Sequence, residues 1–296
     1  MAGEVHIVRT VDRALTSVFR SHKEMGQAGV QKVAGNQFGE TSLRADIEAE
    51  RIILDMMRSH KVPITVMSEE HGRVAMGNRF TGVLDGLDGT NQYVDLMNGK
   101  KTARYGTMFS ILEGSNPRYL DFLVGGIVEH PTAMLLLASR EGSFARDLTT
   151  GTKTPLRTSG ARRLDASIKI YLNYWPGCGP SERAFVGQTY LNMFPDGSSY
   201  TCLRSTASHF VDFALGKVDV VLEYTRKGNL ELGVAFGIVR AAGGVMVTSD
   251  GESIGPRKFL HFGQDSHVAV VSAATTELAD AVLERLKSAQ RPVPGN

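Results

Sequence analysis

Hydrophobic and polar positions alternate in two rhythms, and the rhythm changes along the chain. In "VHIVRTVDRALTSVF", Val8, Val11, Leu15 and Val18 recur at helical spacing, and Ala45, Ala49, Ile52 and Met56 do so in "SLRADIEAERIILDMMRSH". Both segments are expected to be amphipathic helices. "ITVMS" (64–68) reads as a strand. "TMFSILEG", "YLDFLVGGIVEH" and "AMLLLASR" follow as β-branched or aromatic runs bounded by Gly and Pro, the pattern of a meandering antiparallel sheet. Later the strands "SIKIYLNY", "VDVVLEY", "VMVTSDG" and "HVAVVSAA" are interleaved with the helical patterns "ERAFVGQTYLNMF", "TASHFVDFALGK" and "LELGVAFGIVRAAGG", the last ended by its glycines. "TTELADAVLERLKSAQ" is a final amphipathic helix with a Thr cap. Such alternation predicts an α/β (α+β) protein. A boundary is expected in "TKTPLRTSGARR", dividing an N-terminal α+β half (1–160) from a C-terminal α/β half (161–296).

Composition narrows the partners. Of 296 residues, 42% are hydrophobic and 22% charged, as in ordinary globular chains. Lys plus Arg is 33 against 31 for Asp plus Glu, a net charge of +2, which argues against a nucleic-acid polymer or an anionic membrane as principal partner. No apolar run approaches the roughly 20 residues that cross a bilayer, and charges interrupt the first apolar positions, unlike a signal or transit peptide. Cys178 and Cys202 have neither metal-ligand spacing nor a disulfide framework. Reduced thiols in a cytoplasmic protein are expected.

The candidate chemistry lies in "VMSEEHG" and "GVLDGLDGT". Each is an apolar strand that turns acidic at its end, where ligand sites of α/β sheets form. If the two strands are neighbours, Glu69, Asp85 and Asp88 converge and repel one another unless a cation joins them. An all-oxygen donor set favours Mg²⁺ or Mn²⁺ over Zn²⁺. "DGTNQYVDLM" reads as a turn opening a short helix, so the amides around Gly89 and Thr90 are expected to grip a phosphate beside the metal. "DGLDGT" is, alone, also an ordinary turn signal.

"SEE", "DGLDGT" and "GNLELGVAFGIVRAAGG" occur in the order and spacing of the inositol monophosphatase-like superfamily, which includes fructose-1,6-bisphosphatases and 3′(2′),5′-bisphosphate nucleotidases. The chain resembles that superfamily over most of its length. The resemblance implies a layered αβαβα sandwich of the sugar-phosphatase type. It also implies metal ligation by Glu69, Asp85, the Leu87 carbonyl, Asp88 and Glu231, with two or three Mg²⁺ per site. Asp46 and Thr90 would form a dyad that deprotonates the attacking water, with Asp88, Gly89 and Thr90 around the phosphate. In "LRSTASHFVDFALGKVDVVLEY", which looks like the family's substrate-facing segment, Ala207, Ser208 and His209 would lie near the substrate and Glu223 would accept its hydroxyls. Ser208 as a helix N-cap, His209 in the core or in solvent and Glu223 as a surface charge remain open. Arg226, Lys227 and the "NYWPGCGP" loop carry weaker signals, and Asp95 reads as a helix residue.

Three positions depart from the family pattern. Gly86 stands where Pro is usual, which is expected to loosen the turn; Leu230 replaces Trp; Glu231 replaces Asp, as in fructose-1,6-bisphosphatases. The expectation is therefore a Mg²⁺-dependent, lithium-sensitive phosphomonoesterase, homodimeric as the resemblance implies. It would hydrolyse an inositol or sugar phosphate, a small-molecule ester, by metal-activated water. A fructose-1,6-bisphosphatase or bisphosphate nucleotidase is the alternative within the class, and a catalytically weak binding or regulatory relative the alternative outside it.

Overall fold

A computed structural model describes residues 2–36, 38–39, 41–172, 199–225, 228–264 and 268–289. The expected helix in "ERAFVGQTYLNMF", the "NYWPGCGP" loop, Arg226 and Lys227 lie outside them.

β1 (Lys32–Gly35) and β2 (Thr41–Leu43) form a hairpin. An eight-stranded sheet is built from β3 (Ile64–Ser68), β4 (Gly72–Ala75), β5 (Phe80–Asp88), β6 (Gly106–Glu113), β7 (Phe122–Glu129), β8 (Met134–Ser139), β9 (Gly142–Asp147) and β10 (Lys153–Thr154), in the order β10-β9-β8-β7-β6-β5-β3-β4. From β5 to β10 it is an antiparallel meander, as expected for β6 to β8. β3 joins it parallel to β5, in register from Ile64 opposite Phe80 to Ser68 opposite Leu84. β11 (Lys169–Leu172), β12 (Ser199–Thr201), β13 (Val220–Tyr224), β14 (Val245–Thr248) and β15 (Ala269–Ala273) form a mixed sheet of five, ordered β12-β11-β13-β15-β14.

Helices cover both sheets. α1 (Ala2–Met25) fully buries Val11, Ala14, Leu15 and Val18. α2 (Arg44–Ser59) seats on a ridge of every fourth residue, Ala45, Ala49, Ile53 and Met57. Ile52 and Met56, expected on that face, lie at its partly exposed border. Because α2 packs on α1 and β5 together, a second row, Asp46, Glu50 and Leu54, is buried as well. α3 (Thr90–Met97) is a short helix beyond the end of β5. α4 (Thr206–Ala214) and α5 (Leu230–Ala241) lie between the two sheets, where Phe210, Phe213, Leu232 and Ile238 meet Val83, Met108 and Ile127 of one sheet and Val221 and Val270 of the other. α5 is apolar on nearly all sides, as a helix between two sheets must be. α6 (Thr276–Ala289) covers the outer face of the small sheet, and the Thr275 hydroxyl caps it by accepting the Leu278 amide at 3.2 Å. The layers therefore run α1/α2, large sheet, α4/α5, small sheet, α6, which is the expected sandwich.

One polar network ties three of these layers. Arg104 pairs with Glu129 of β7 at 2.6 Å and with both Asp212 oxygens on α4 at 2.6 and 3.0 Å, and Tyr171 of β11 donates to Asp212 at 2.9 Å.

Candidate active site and metal centre

β5 carries the two aspartates. All nine of its residues are buried, Asp85 and Asp88 among them. In a regular strand, residues three apart face opposite sides. Here the β5–β6 register shifts between Asp85, opposite Met108, and Asp88, opposite Gly106. This extra residue is a β-bulge, and it turns both carboxylates to one point. The Asp85 Oδ1 accepts the Leu87 amide at 3.0 Å, and Thr107 donates to the Gly86 carbonyl at 2.7 Å, fixing the bulge from inside and outside.

Glu231, in the first turn of α5, completes a group with Asp85 and Asp88 whose ligand atoms lie within 4.8 Å of one another. The longer carboxylate thus still reaches the cluster. Its helix start is held by Asn229, in a left-handed conformation (φ 46°), which donates to the Phe262 carbonyl at 2.9 Å and to the Tyr119 hydroxyl. Ser110 of β6 adds a hydrogen bond to the Gly233 carbonyl at 3.1 Å. Leu230 is buried in the central core.

Glu69 follows β3 directly, and its amide donates to the Leu84 carbonyl at 3.2 Å, which extends the parallel register to set it beside Asp85. Burial, then repulsion from Glu231, Glu70, Asp46 and Glu50, pushes the Glu69 carboxyl well up. Asp85 is likewise raised by burial, then by Glu69, Asp88, Glu231 and Glu50. These are hard oxygen donors that repel one another in the absence of a cation, and the cluster fits a divalent metal ion on that ground.

Asp46 and Thr90 are brought together. The Thr90 hydroxyl lies 3.2 Å from Asp46 Oδ1 and 3.3 Å from the Leu87 carbonyl, and Asp46 Oδ2 accepts the Leu43 amide at 2.8 Å. Burial chiefly, then repulsion from Glu70, raises the Asp46 carboxyl to about 7, against the opposing hydrogen bonds from Leu43 and Thr90. Gly89 is the N-cap of α3 with φ 91°, a left-handed turn that a side chain would strain. The Gly89 carbonyl takes the Gln92 amide at 2.8 Å and the Tyr93 amide at 3.0 Å, which leaves the amides of Thr90 and Asn91 as the first-turn donors beyond the end of β5.

Gly86 does not loosen the turn. A Cβ there would stand 2.7 Å from the Asp46 carbonyl and 2.7 Å from Glu50 Cγ, so α2 lies closer to the bulge than any side chain at 86 allows.

The substrate-side candidates are placed as follows. Ser205, not Ser208, caps α4, accepting the Ser208 amide at 3.2 Å. Ser205 also donates to Asp88 Oδ2 at 2.6 Å, and the Ala207 amide does so at 2.8 Å, so the positive end of α4 meets a cluster carboxylate. Ser208 is fully enclosed, and its hydroxyl has no hydrogen-bond partner among the described residues. His209 is a core residue: Nε2 accepts the Leu203 amide at 3.1 Å, which leaves Nδ1–H to donate to Glu223 at 3.2 Å. Glu223 is buried at the end of β13, not a surface charge. Asp95 is a helix residue paired with Lys100. Three contributors escaped sequence reasoning: Ser205, Asn229 and the buried Glu50. Glu50 alone left a signal, since it stands four residues after Asp46 and so on the same helix face.

The model of the inositol monophosphatase family matches residues 3–291. The fold is similar to that of the extragenic suppressor protein suhB from Bartonella henselae, with TM-score 0.70 and 19% identity over 94% of this chain and 97% of that one. It is similar to an inositol monophosphatase from Anabaena (Nostoc), with TM-score 0.70 and 16% identity over 95% of each chain. A dual specific IMPase/NADP phosphatase, solved with D-inositol-1-phosphate, is similar at TM-score 0.67 and 15% identity over 95% of each chain. No curated protein sequence matches the chain.

Proposed function

The chain belongs to the inositol monophosphatase family, and from that premise we propose that it is a Mg²⁺-dependent phosphomonoesterase acting on an inositol or sugar phosphate. The observation that carries this reading is the approach of Asp85, Asp88 and Glu231 to within 4.8 Å, with the Asp46–Thr90 pair beside them. Asp85, Asp88, Glu231, Glu69 and the Leu87 carbonyl would hold the metal. When bound, it supplies charge neutralisation, polarises the phosphoryl group and makes water a stronger acid.

The remaining steps belong to the chain. The α3 N-terminus, reached past Gly89, offers amides to phosphate oxygens. Ionised Asp46 takes the hydrogen of the Thr90 hydroxyl, which leaves the Thr90 oxygen facing outward as an acceptor. A water placed there gives its proton toward Asp46 through Thr90 as its lone pair bonds to phosphorus; the ester P–O bond breaks in line, and the departing alkoxide takes a proton from solvent to leave as the alcohol. A carboxyl poised at about 7 is well matched to taking that proton at neutral pH. Glu223, held by His209, accepts substrate hydroxyls.

Phosphate release from inositol 1-phosphate, fructose 1,6-bisphosphate and adenosine 3′,5′-bisphosphate tests the proposal. Activity with Mg²⁺ that EDTA abolishes and millimolar Li⁺ inhibits is the expected result. Release from none of the three would support a binding or regulatory relative instead. Glu231 favours fructose 1,6-bisphosphate as the second substrate to try.

A further inference from the structure

Glu50 has no part in the chemistry above, yet it stands on one of the segments that carry it and touches two others. It is fully buried on α2, one turn beyond Asp46. Its Oε1 accepts the amides of Glu69 at 3.0 Å and Glu70 at 3.2 Å. Its Oε2 lies 3.2 Å from the Glu70 amide and 2.7 Å from His71 Nδ1, and accepts the Ser68 hydroxyl. Its Cγ fills the space above Gly86, which lies between the bulge aspartates in sequence.

A buried carboxylate is tolerated when donors surround it, and this one has backbone amides, a hydroxyl and an imidazole. Packing alone would be met by a neutral side chain of the same shape. A further negative charge among carboxylates that already repel one another is unfavourable without a cation, and Glu50 is among the charges that act on Glu69 and Asp85. It makes sense where a cation is to be held: it orients the acidic turn and deepens the negative potential there.

We propose that Glu50 is a positioning residue of the metal centre, clamping the 68–71 turn against α2 and Gly86 so that Glu69 is presented to the point where Asp85, Asp88 and Glu231 meet. The proposal rests on reading that cluster as a divalent-cation site.

Glu50→Gln tests it. The variant keeps the volume but removes a charge and turns an NH₂ toward amide donors. Mn²⁺ uptake by the full chain, followed by electron paramagnetic resonance or calorimetry, is expected to weaken at least tenfold, in the range of losses seen for residues behind metal ligands. The Mg²⁺ concentration for half-maximal activity should rise in parallel. kcat and KM at saturating Mg²⁺ should stay within about threefold. Ser68→Ala, which deletes only the hydroxyl given to Glu50, should move Mn²⁺ affinity the same way by a smaller factor, and keeps the test open should Glu50→Gln not fold. Mn²⁺ affinity within twofold of wild type in the folded variants, with or without a loss of stability or kcat, overturns the proposal for Glu50 alone. Wild-type protein that takes up no Mn²⁺ overturns the reading of the cluster itself.

Discussion

At the scale of residues, the informative group is Asp46. Its folded carboxyl titrates near 7, above its ordinary 3.8, so the folded metal-free chain binds a proton that the unfolded chain releases. For a raised acid the sign is unfavourable: the metal-free fold loses stability as pH rises from about 4 to about 7, by roughly 4 kcal/mol from this group alone. Asp46→Asn should flatten that slope in EDTA and raise the melting temperature at pH 8 while abolishing hydrolysis, which denaturation across pH and a phosphate assay would check. Activity of the loaded enzyme should rise with pH through a limb with its midpoint at or below about 7, because a bound cation favours the ionised carboxylate. Protons compete with metal at Glu69 and Asp85, both raised when the cluster is empty. The thermal shift on adding Mg²⁺ should therefore be larger at pH 8 than at pH 5.5, as differential scanning would record. The acidic residues were legible in the sequence because charge at the end of an apolar strand is conspicuous. Their convergence was not, since a separation of three predicts opposite faces and the bulge that corrects it leaves no mark in composition. Glu50 was hidden for another reason: a glutamate in a helix reads as a solvated charge until something is known to pack over it.

At the scale of elements, the long rhythms were the readable ones. α1, α6 and the meander β6–β8 each have enough period to outvote single residues, and α5 is a long apolar run closed by glycines. The face of α2 came out one residue off because two neighbours, α1 and β5, bury two adjacent rows. The hairpin β1–β2 and strands β4, β9 and β10 are short and largely polar, so periodicity had little to act on. The junction of β5 with α4 is where element geometry meets chemistry. Ser205 caps α4 and donates to Asp88 with the same side chain. Ser205→Ala should remove about 1 kcal/mol of stability as a lost cap. It should also raise the Mg²⁺ requirement, since Asp88 loses a donor that fixes its rotamer; urea denaturation and metal titration of activity separate the two effects.

At the scale of the molecule, the layered sandwich follows from strands and helices finding faces to bury, and the order of its layers was expected from resemblance before it was seen. What resemblance could not supply was the cross-brace: Arg104 reaches Glu129, Asp212 and, through Asp212, Tyr171, joining the large sheet, the central helices and the small sheet. Arg104 is largely buried, with a side-chain exposure of 20%. Arg104→Met would leave buried Glu129 with only the Thr132 hydroxyl and Asp212 with Tyr171 and Lys217, and should destabilise the fold by about 3 kcal/mol, measurable by chemical denaturation. The cluster itself draws Asp85 and Asp88 from the large sheet and Glu231 from the central helix layer, with the exposed turn of residues 149–152 lying between them in sequence. A chain severed in that turn would leave neither fragment with a whole coordination sphere. Cation affinity would then belong to the reunion of the two pieces, so that adding Mn²⁺ draws them together and chelation lets them part.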